Sequence, residues 1–175
     1  MRPGQFVNIK IDGCYLRRPI SVCDSDGNSL TVIYKAVGKG TETLSGVPSG
    51  NRLDILAGLG NGFDLSASGQ TPVLVGGGVG VPPLYKLCKE LIKEGKTPTA
   101  ILGFNSAKDV FYKEKFEETG AKVYIMTADG TTGERGLVTD KLLNIPYSYF
   151  YACGPKAMFR AMEKIVSASG EYSFE

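Results

Sequence analysis

The hydrophobic pattern of the chain changes near residue 70. Before that point, short apolar runs alternate with polar residues and end at turn residues, which is typical of β-strands. After it, continuous apolar runs are each followed by a stretch with apolar residues three and four positions apart, which indicates strand–helix repeats. The pattern predicts an antiparallel β unit over residues 1–68 and an α/β unit over residues 69–175, joined by a polar linker at 66–70.

The first unit reads as all-β. Strands are predicted at residues 6–11, 19–23, 30–35 and 52–56. Tight turns are expected at Gly13 and Gly27, because each glycine follows an aspartate between two strand-like runs. Further glycines mark sharp corners at positions 38, 40, 46, 50, 58, 60 and 62. Short strands joined by such corners favour a small antiparallel barrel.

The second unit reads as a repeated strand–helix pattern. Strands are predicted at residues 72–76, 99–104, 122–127 and 147–153, and helices from Pro82, around 112–119, around 137–143 and from Pro155. The first helix carries an apolar stripe and ends at Gly95. The stripe consists of Leu84, Leu87, Cys88, Leu91 and Ile92. Four such repeats predict an open, doubly wound parallel sheet with ligands at its carboxyl edge.

Composition excludes several classes of function. Lys and Arg number 20 against 18 Asp and Glu, without a basic stripe, so nucleic-acid binding is disfavoured. No leader-like or bilayer-length apolar segment is evident, which predicts a cytoplasmic protein without membrane contact. The chain has no histidine, so the reaction is expected to belong to a cofactor. The four cysteines are widely spaced, which favours reduced thiols over a metal site.

The strongest candidate for chemistry is the sequence GGGVGVPP at 76–83, between the first parallel strand and its helix. Consecutive glycines let a diphosphate approach the backbone, and the helix start presents free N–H groups. The alternative is a tight turn without a ligand. Pro83 stands where the usual dinucleotide fingerprint has a third glycine, and the second strand runs into Asn105 rather than an acidic residue. Both departures disfavour an ordinary Rossmann dehydrogenase.

Three further segments suit a nucleotide. Arg18 in RRPIS can pair with a diphosphate, and Ser21 presents a hydroxyl from the same strand, although Arg-Arg-Pro can equally be a solvated strand end. The segment VGKGT is not a P-loop because Gly40 separates the lysine from Thr41, but Thr41 is a candidate N-cap of a short helix. Cys153 in ACGP is expected beside the glycine turn, with a buried small residue as the alternative. Together these segments suggest two nucleotides across an interface between the units.

The motifs RRPIS, IYKAVGKGT, GLGNGF, GGGVGVPP and ACGP, in this order, closely resemble the ferredoxin-reductase superfamily, and within it the electron-transfer subunits of dihydroorotate dehydrogenase B. The resemblance implies an FAD-binding β-barrel, here incomplete at its N-terminal side, followed by a doubly wound NAD-binding domain. By similarity, FAD contacts come from Arg18, Pro19, Ile20, Ser21, Ile33, Tyr34, Lys35, Gly40 and Thr41, and NAD contacts from Gly77, Gly78, Gly80, Val81, Cys153, Gly154 and Pro155. It also implies that Ser21 lies near flavin N5 and Cys153 near the nicotinamide, as the catalytic candidates.

The resemblance further implies a [2Fe–2S] centre and an FMN-containing catalytic subunit that oxidises dihydroorotate to orotate in pyrimidine synthesis, with NAD as the acceptor. Family members have barrel strands before the point where MRPGQF begins and a cysteine-rich segment after GEYSFE, so no cluster is expected from residues 1–175 alone. Three alternatives stay open: the flavin subunit of a ferredoxin:NADP oxidoreductase or sulfide dehydrogenase, a nucleotide-binding or regulatory module without redox activity, and a structural fragment whose surface docks a catalytic subunit. The choice between NAD and NADP also stays open.

Overall fold

The computed structural model describes residues 1–169, and the segment GEYSFE at 170–175 lies outside the described residues. The first part of the chain forms β1 (Phe6–Ile9), β2 (Arg18–Ser25), β3 (Leu30–Val32), α1 (Lys39–Ser45) and β4 (Ile55–Leu59). The second part forms β5 (Pro72–Gly77), α2 (Val81–Lys93), β6 (Thr99–Phe104), α3 (Lys113–Glu118), β7 (Lys122–Thr127), β8 (Glu134–Arg135), α4 (Val138–Leu142), β9 (Tyr149–Cys153) and α5 (Lys156–Ser169).

The first part is an antiparallel sheet, as predicted, with the strand order β3-β2-β1-β4. Its core is a small apolar cluster under α1, consisting of Val7, Ile9, Ile11, Ile20, Val22 and Leu44. The hairpin between β2 and β3 turns at Gly27, whose φ is 98°. The carboxylate of Asp26 accepts hydrogen bonds from the backbone N–H groups of Asn28 and Ser29 at 3.0 and 2.8 Å, which stabilises this turn.

All four strands of the first unit differ from their predicted bounds: β1 ends at Ile9 rather than at residue 11, and β2 spans Arg18–Ser25 rather than residues 19–23. The fourth strand was expected at 52–56 but begins at Ile55, because Asp54 is held by Arg17 through two hydrogen bonds of 3.0 and 2.8 Å and Ile55 is the residue that pairs with Ile9. The third strand ends at Val32 rather than at residue 35. Residues 33–35 therefore leave the sheet and are not paired with β2.

The second part is a five-stranded parallel sheet with the order β8-β7-β6-β5-β9. Helices cover both faces, which confirms the doubly wound prediction. One face packs α2 and α3 over Leu74 and Leu102, and the other packs α4 and α5 over Val75 and Ile101. The strand β8 was not predicted, because two exposed charged residues carry no hydrophobic period.

The helix α2 anchors the second unit to the first. Its stripe of Leu84, Leu87, Cys88 and Leu91 is fully buried, and each leucine contributes about 1.5–3 kcal/mol on burial. Gly95, with a φ of 77°, follows the helix as predicted. On its other side α2 packs against β2 of the antiparallel sheet. The segment just before the linker also contacts β9, where the Tyr151 hydroxyl donates to the carbonyl of Asp64 at 2.7 Å.

The boundary predicted between residues 68 and 69 stays a prediction. Among residues 1–169, no helix is both long enough and apolar enough to cross a lipid bilayer.

Ser25 lies at the contact between β2 and α2, and its hydroxyl is buried without a hydrogen-bond partner. We expect Ser25→Ala to change the free energy of unfolding by less than about 0.5 kcal/mol, because no hydrogen bond is lost. Thr119→Ala is the matched control, since the Thr119 hydroxyl donates to the carbonyl of Phe116 at 2.6 Å and its removal should cost about 1 kcal/mol. Urea unfolding followed by circular dichroism measures both. A larger loss in Ser25→Ala than in Thr119→Ala would contradict this expectation.

Candidate functional site

The glycine turn after β5 forms an open cradle at the carboxyl edge of the parallel sheet. Gly78 has a φ of 53° and starts a single 3₁₀ turn that ends at Gly80, after which α2 begins at Val81. No side chain caps the helix start. A Cβ atom at Gly78 would meet nothing within 4 Å. The turn therefore leaves space and backbone N–H groups for an anionic ligand.

The next glycine of the turn has a different role, because it permits close packing against the end of β9. A Cβ atom at Gly80 would collide with the Cys153 carbonyl and lie 2.6 Å from the backbone nitrogen of Gly154. Gly77 approaches Pro155 in the same way, since its Cβ atom would lie 3.0 Å from Pro155 Cδ. Cys153 also pairs with Gly76 in the sheet. The predicted proximity of Cys153 to the glycine turn is therefore confirmed.

A cleft of about 810 Å³ runs along this edge, a size usual for small-molecule sites. The α/β unit supplies most of its wall: Gly77, Gly78, Val79, Gly80, Gly103, Phe104, Asn105, Asp109, Phe111, Ala128, Gly136, Leu137, Val138, Thr139, Cys153, Gly154, Pro155, Ala157, Met158 and Ala161. The antiparallel unit supplies Ile33, Tyr34 and Lys35. The segment that leaves β3 thus faces the glycine turn across one crevice.

The walls of the cleft are mostly apolar or backbone. Among the residues that line it, only Lys35 and Asp109 carry a charge, and the Asp109 carboxylate accepts a hydrogen bond from the Ser106 hydroxyl at 2.8 Å. Apolar walls suit the faces of planar rings, and the open turn suits a diphosphate. The residues present therefore fit a dinucleotide.

The cysteine in this cleft is a neutral thiol. Burial raises the pKa of Cys153, which keeps its sulfur protonated near neutral pH. Such a group can contact a ring, but it is not a ready nucleophile. Cys14, Cys23, Cys88 and Cys153 are all free thiols. Within residues 1–169, no group of three or more His, Cys, Asp or Glu side chains is arranged to hold a metal ion.

Arg18 and Gly40 form a second feature of the antiparallel unit. The guanidinium of Arg18 donates to the carbonyl of Leu16 at 2.5 Å and lies directly on the backbone of Gly40. A Cβ atom at Gly40 would come within 2.7 Å of Arg18 Cζ. Position 40 is therefore glycine because the arginine covers it, and this contact places a cation beside the first turn of α1.

The predicted N-cap role of Thr41 is wrong. The helix α1 begins at Lys39 with the extended Gly38 as its N-cap residue. The Thr41 hydroxyl instead accepts a hydrogen bond from the N–H of Val37 at 3.0 Å and donates to the Gly38 carbonyl at 3.1 Å. It stabilises the turn that leads into α1 rather than the helix end itself.

The other predicted contacts lie outside the lining of the cleft. Ile20 and Val81 are buried in the two cores, with 7% and 0% exposure. Pro19 is exposed, and Ser21 is half-buried on β2 opposite Phe6. Their roles in binding stay predictions.

Several lining residues were not identified from the sequence as contacts. Phe111 stands on the loop after β6, and Leu137 and Thr139 stand where α4 begins. Leu137 is 58% exposed. The Asp140 carboxylate accepts a hydrogen bond from the backbone N–H of Leu137 at 2.8 Å, which fixes the backbone at Leu137. The signal that could have indicated them is their place after the carboxyl ends of parallel strands.

Comparison with known proteins agrees with this geometry. Residues 74–164 match the family described as the oxidoreductase NAD-binding domain, which is more than half of the chain. The chain belongs to this family. Two similar relatives are proteins named dihydroorotate dehydrogenase B (NAD(+)), electron transfer subunit, from Bacillus mycoides strain KBAB4 and Bacillus cereus strain B4264. Each is 49% identical over 170 residues, which covers 92% of this chain and 65% of the relative.

Solved structures show the same architecture for this member of the NAD-binding domain family. An NADH-dependent reduced ferredoxin-NADP oxidoreductase matches 98% of this chain and 63% of its own, with 30% identity and a TM-score of 0.82. A ferredoxin reductase in carbazole 1,9a-dioxygenase matches 98% of this chain and 58% of its own at 21% identity, with a TM-score of 0.82, which speaks for the fold alone. The resemblance to the ferredoxin-reductase superfamily is confirmed. The chain spans less than two thirds of the length of these proteins, 65% for the Bacillus relatives.

Proposed function

We propose that this chain holds FAD where its two units meet, that it exchanges electrons between this flavin and NAD, and that it forms part of an electron-transfer subunit of dihydroorotate dehydrogenase B. One observation carries the proposal: a single cleft has residues 33–35 of the antiparallel unit on one wall and the glycine turn on the other. Hydride transfer needs reacting atoms about 3–3.5 Å apart, so both rings must share one crevice. Two clefts that faced apart would not support this function.

The residues of the chain take the following parts in this proposal. Gly77, Gly78 and Gly80 receive the diphosphate of NAD, together with the backbone of Val81, while Gly154 and Pro155 close the nicotinamide end. Ile33, Tyr34 and Lys35 line the flavin, and Arg18 with Gly40 and Thr41 receives the FAD diphosphate next to Pro19 and Ile20. Ser21 and Cys153 are assigned to the vicinity of the reacting atoms.

A bound flavin would supply the redox chemistry, because it takes two electrons as a hydride from a nicotinamide and can release them one at a time. The protein contributes orientation and exclusion of water. The neutral Cys153 thiol and the apolar lining fit this part, since they offer contact without competing acid–base chemistry.

We further propose a partner. The similar Bacillus proteins are named electron transfer subunits, which implies a catalytic subunit that exchanges electrons with them. For this chain we infer an FMN-containing dihydroorotate dehydrogenase subunit reached through a [2Fe–2S] cluster.

The test is a visible spectrum of the purified chain with and without added FAD, followed by anaerobic addition of NADH. We expect the visible absorption of bound flavin to appear with FAD and to bleach with NADH. NADPH at the same concentration is expected to bleach it more slowly. Faster bleaching by NADPH would favour the ferredoxin:NADP oxidoreductase alternative. A colourless chain that rejects FAD and binds ATP better than NADH would instead indicate the non-redox module and end the proposal.

A further inference from the structure

Two lysines of α2 connect the glycine turn to the strand β2. The ammonium of Lys89 lies 2.6 Å from the Asp24 carboxylate, and the ammonium of Lys86 donates to the Ser25 carbonyl at 2.9 Å. The helix that carries both lysines starts at the glycine turn, and the strand that receives them starts at Arg18. We call these two contacts, Lys86 with Ser25 and Lys89 with Asp24, the lysine joint.

The spacing of the lysines makes the joint a two-point fixation. Lys86 and Lys89 are three positions apart and therefore lie on the same face of the helix. One contact would allow the helix to rotate about it, whereas two contacts at different heights fix both rotation and translation. The joint thereby sets where the N-terminal end of α2 stands relative to β2.

A lysine is energetically costly at a position as buried as residue 86. Its residue exposure is only 8%, yet its nearest carboxylate oxygen, on Glu90, is 3.9 Å away. A buried ammonium is costly unless it is hydrogen-bonded, so Lys86 depends on its contact with the Ser25 carbonyl. Buried polar contacts of this kind can select one arrangement of packed elements.

The joint is also linked, through two tyrosine rings, to Phe111 in the lining of the cleft. The ammonium of Lys89 stands 5.5 Å from the centre of the Tyr85 ring, and that ring meets the edge of Tyr112 at 5.2 Å. Tyr112 has a φ of 65°, a left-handed backbone conformation that residues other than glycine rarely adopt. Its neighbour Phe111 lines the cleft. A displacement at the joint would therefore reach the cleft at two places, the glycine turn and Phe111.

We propose that Lys86 and Lys89 are positioning residues, which hold the glycine turn in register with the flavin-side strand so that hydride transfer occurs at the correct distance. The inference rests on the proposed function, but the joint itself can be tested without it. Neither lysine lines the cleft, so neither is expected to contact a ligand.

The first experiment measures opening of the joint through two buried thiols. Cys23 belongs to β2 next to Asp24, and Cys88 belongs to α2 and faces Thr119 of the same unit at 3.4 Å. Both are fully buried, and burial raises the pKa of each thiol to about 11. Labelling of the intact chain with a thiol reagent at pH 8, resolved by peptide mass spectrometry, then compares their accessibility.

Three variants of the full chain are compared with the parent: Lys86→Met, Lys89→Met and the control Lys93→Met. Lys93 lies on the same helix and, within residues 1–169, forms an ion pair with Glu90 alone, at 2.9 Å. Lys86→Met and Lys89→Met are expected to raise the Cys23 labelling rate by about tenfold and to leave Cys88 unchanged, because each removes one contact between the units. Lys93→Met should leave both rates unchanged. Equal acceleration of Cys23 and Cys88 would indicate a general loss of stability and overturn the inference.

The second experiment separates positioning from binding. In single-turnover reduction of bound FAD by NADH, the two joint variants should slow the transfer step at least about tenfold, because a misplacement of about 1 Å can slow transfer about 100-fold. The dissociation constant of NADH should stay within about twofold. The double exchange Asp24→Lys with Lys89→Asp is expected to recover part of the rate lost in Lys89→Met.

These outcomes distinguish the two claims. If the parent chain is not reduced by NADH, the proposed function fails, while selective labelling of Cys23 still supports the joint and unselective labelling still refutes it. If the parent is reduced and both joint variants transfer electrons as fast as Lys93→Met, the positioning role is refuted and the proposed function stands.

Discussion

Replacing Gly80 with alanine is expected to lower the free energy of unfolding by about 3 kcal/mol, at the upper end of typical overpacking effects. The added Cβ would collide with the Cys153 carbonyl and stand 2.6 Å from the Gly154 nitrogen. These atoms belong to the backbone of β9 and its exit, so they cannot move aside as a side-chain tip can. Relief requires the turn to separate from the sheet edge. Urea unfolding followed by circular dichroism measures the loss.

Gly78→Ala is the matched control within the same turn. Its Cβ would meet nothing within 4 Å, so the expected loss of stability is about 1 kcal/mol, from the φ of 53° alone. That Cβ would project into the cleft, however, and should weaken NADH binding at least about tenfold. Equal stability of the two variants would refute the packing argument, and unchanged NADH affinity in Gly78→Ala would remove this turn from the site.

The sequence predicts the parallel unit well because its strands carry a strong local signal. The strands β6 and β7 lie at their predicted bounds, and each is a continuous apolar run that a covered sheet requires. By contrast β4 begins at Ile55 rather than at residue 52, because the position of its start depends on the pairing of Arg17 with Asp54, residues far apart in the chain. Periodicity cannot report a contact of that range.

The same limit applies to the cleft. The glycine turn and Cys153 could be predicted because both lie at strand ends, where parallel sheets form their sites. Phe111 and Leu137 also follow strand ends, but they lie on connections without a hydrophobic period, so that position alone does not single them out. The lysine joint gave even less signal, because Lys86 looks like an ordinary charged residue of an amphipathic helix until its burial is known.

The flavin side of the proposal depends most on Arg18. Arg18→Ala should weaken FAD binding by about 1.5–3 kcal/mol, roughly 10- to 150-fold, because a charge-assisted contact to a diphosphate is lost. Fluorescence titration of the chain with FAD measures this change. Arg17→Ala is the control, since the neighbouring guanidinium is already committed to Asp54 at 3.0 and 2.8 Å and should leave FAD affinity unchanged.

Gly40→Ala provides an independent route to the same effect, because the new Cβ would displace the Arg18 guanidinium that now covers Gly40. We expect it to weaken FAD binding in the same direction as Arg18→Ala. The double variant should be no weaker than Arg18→Ala alone, since both changes act through one cation and are therefore not additive. Additive losses would mean that Gly40 contributes its own contact, and unchanged affinity in all three variants would separate Arg18 from the flavin site.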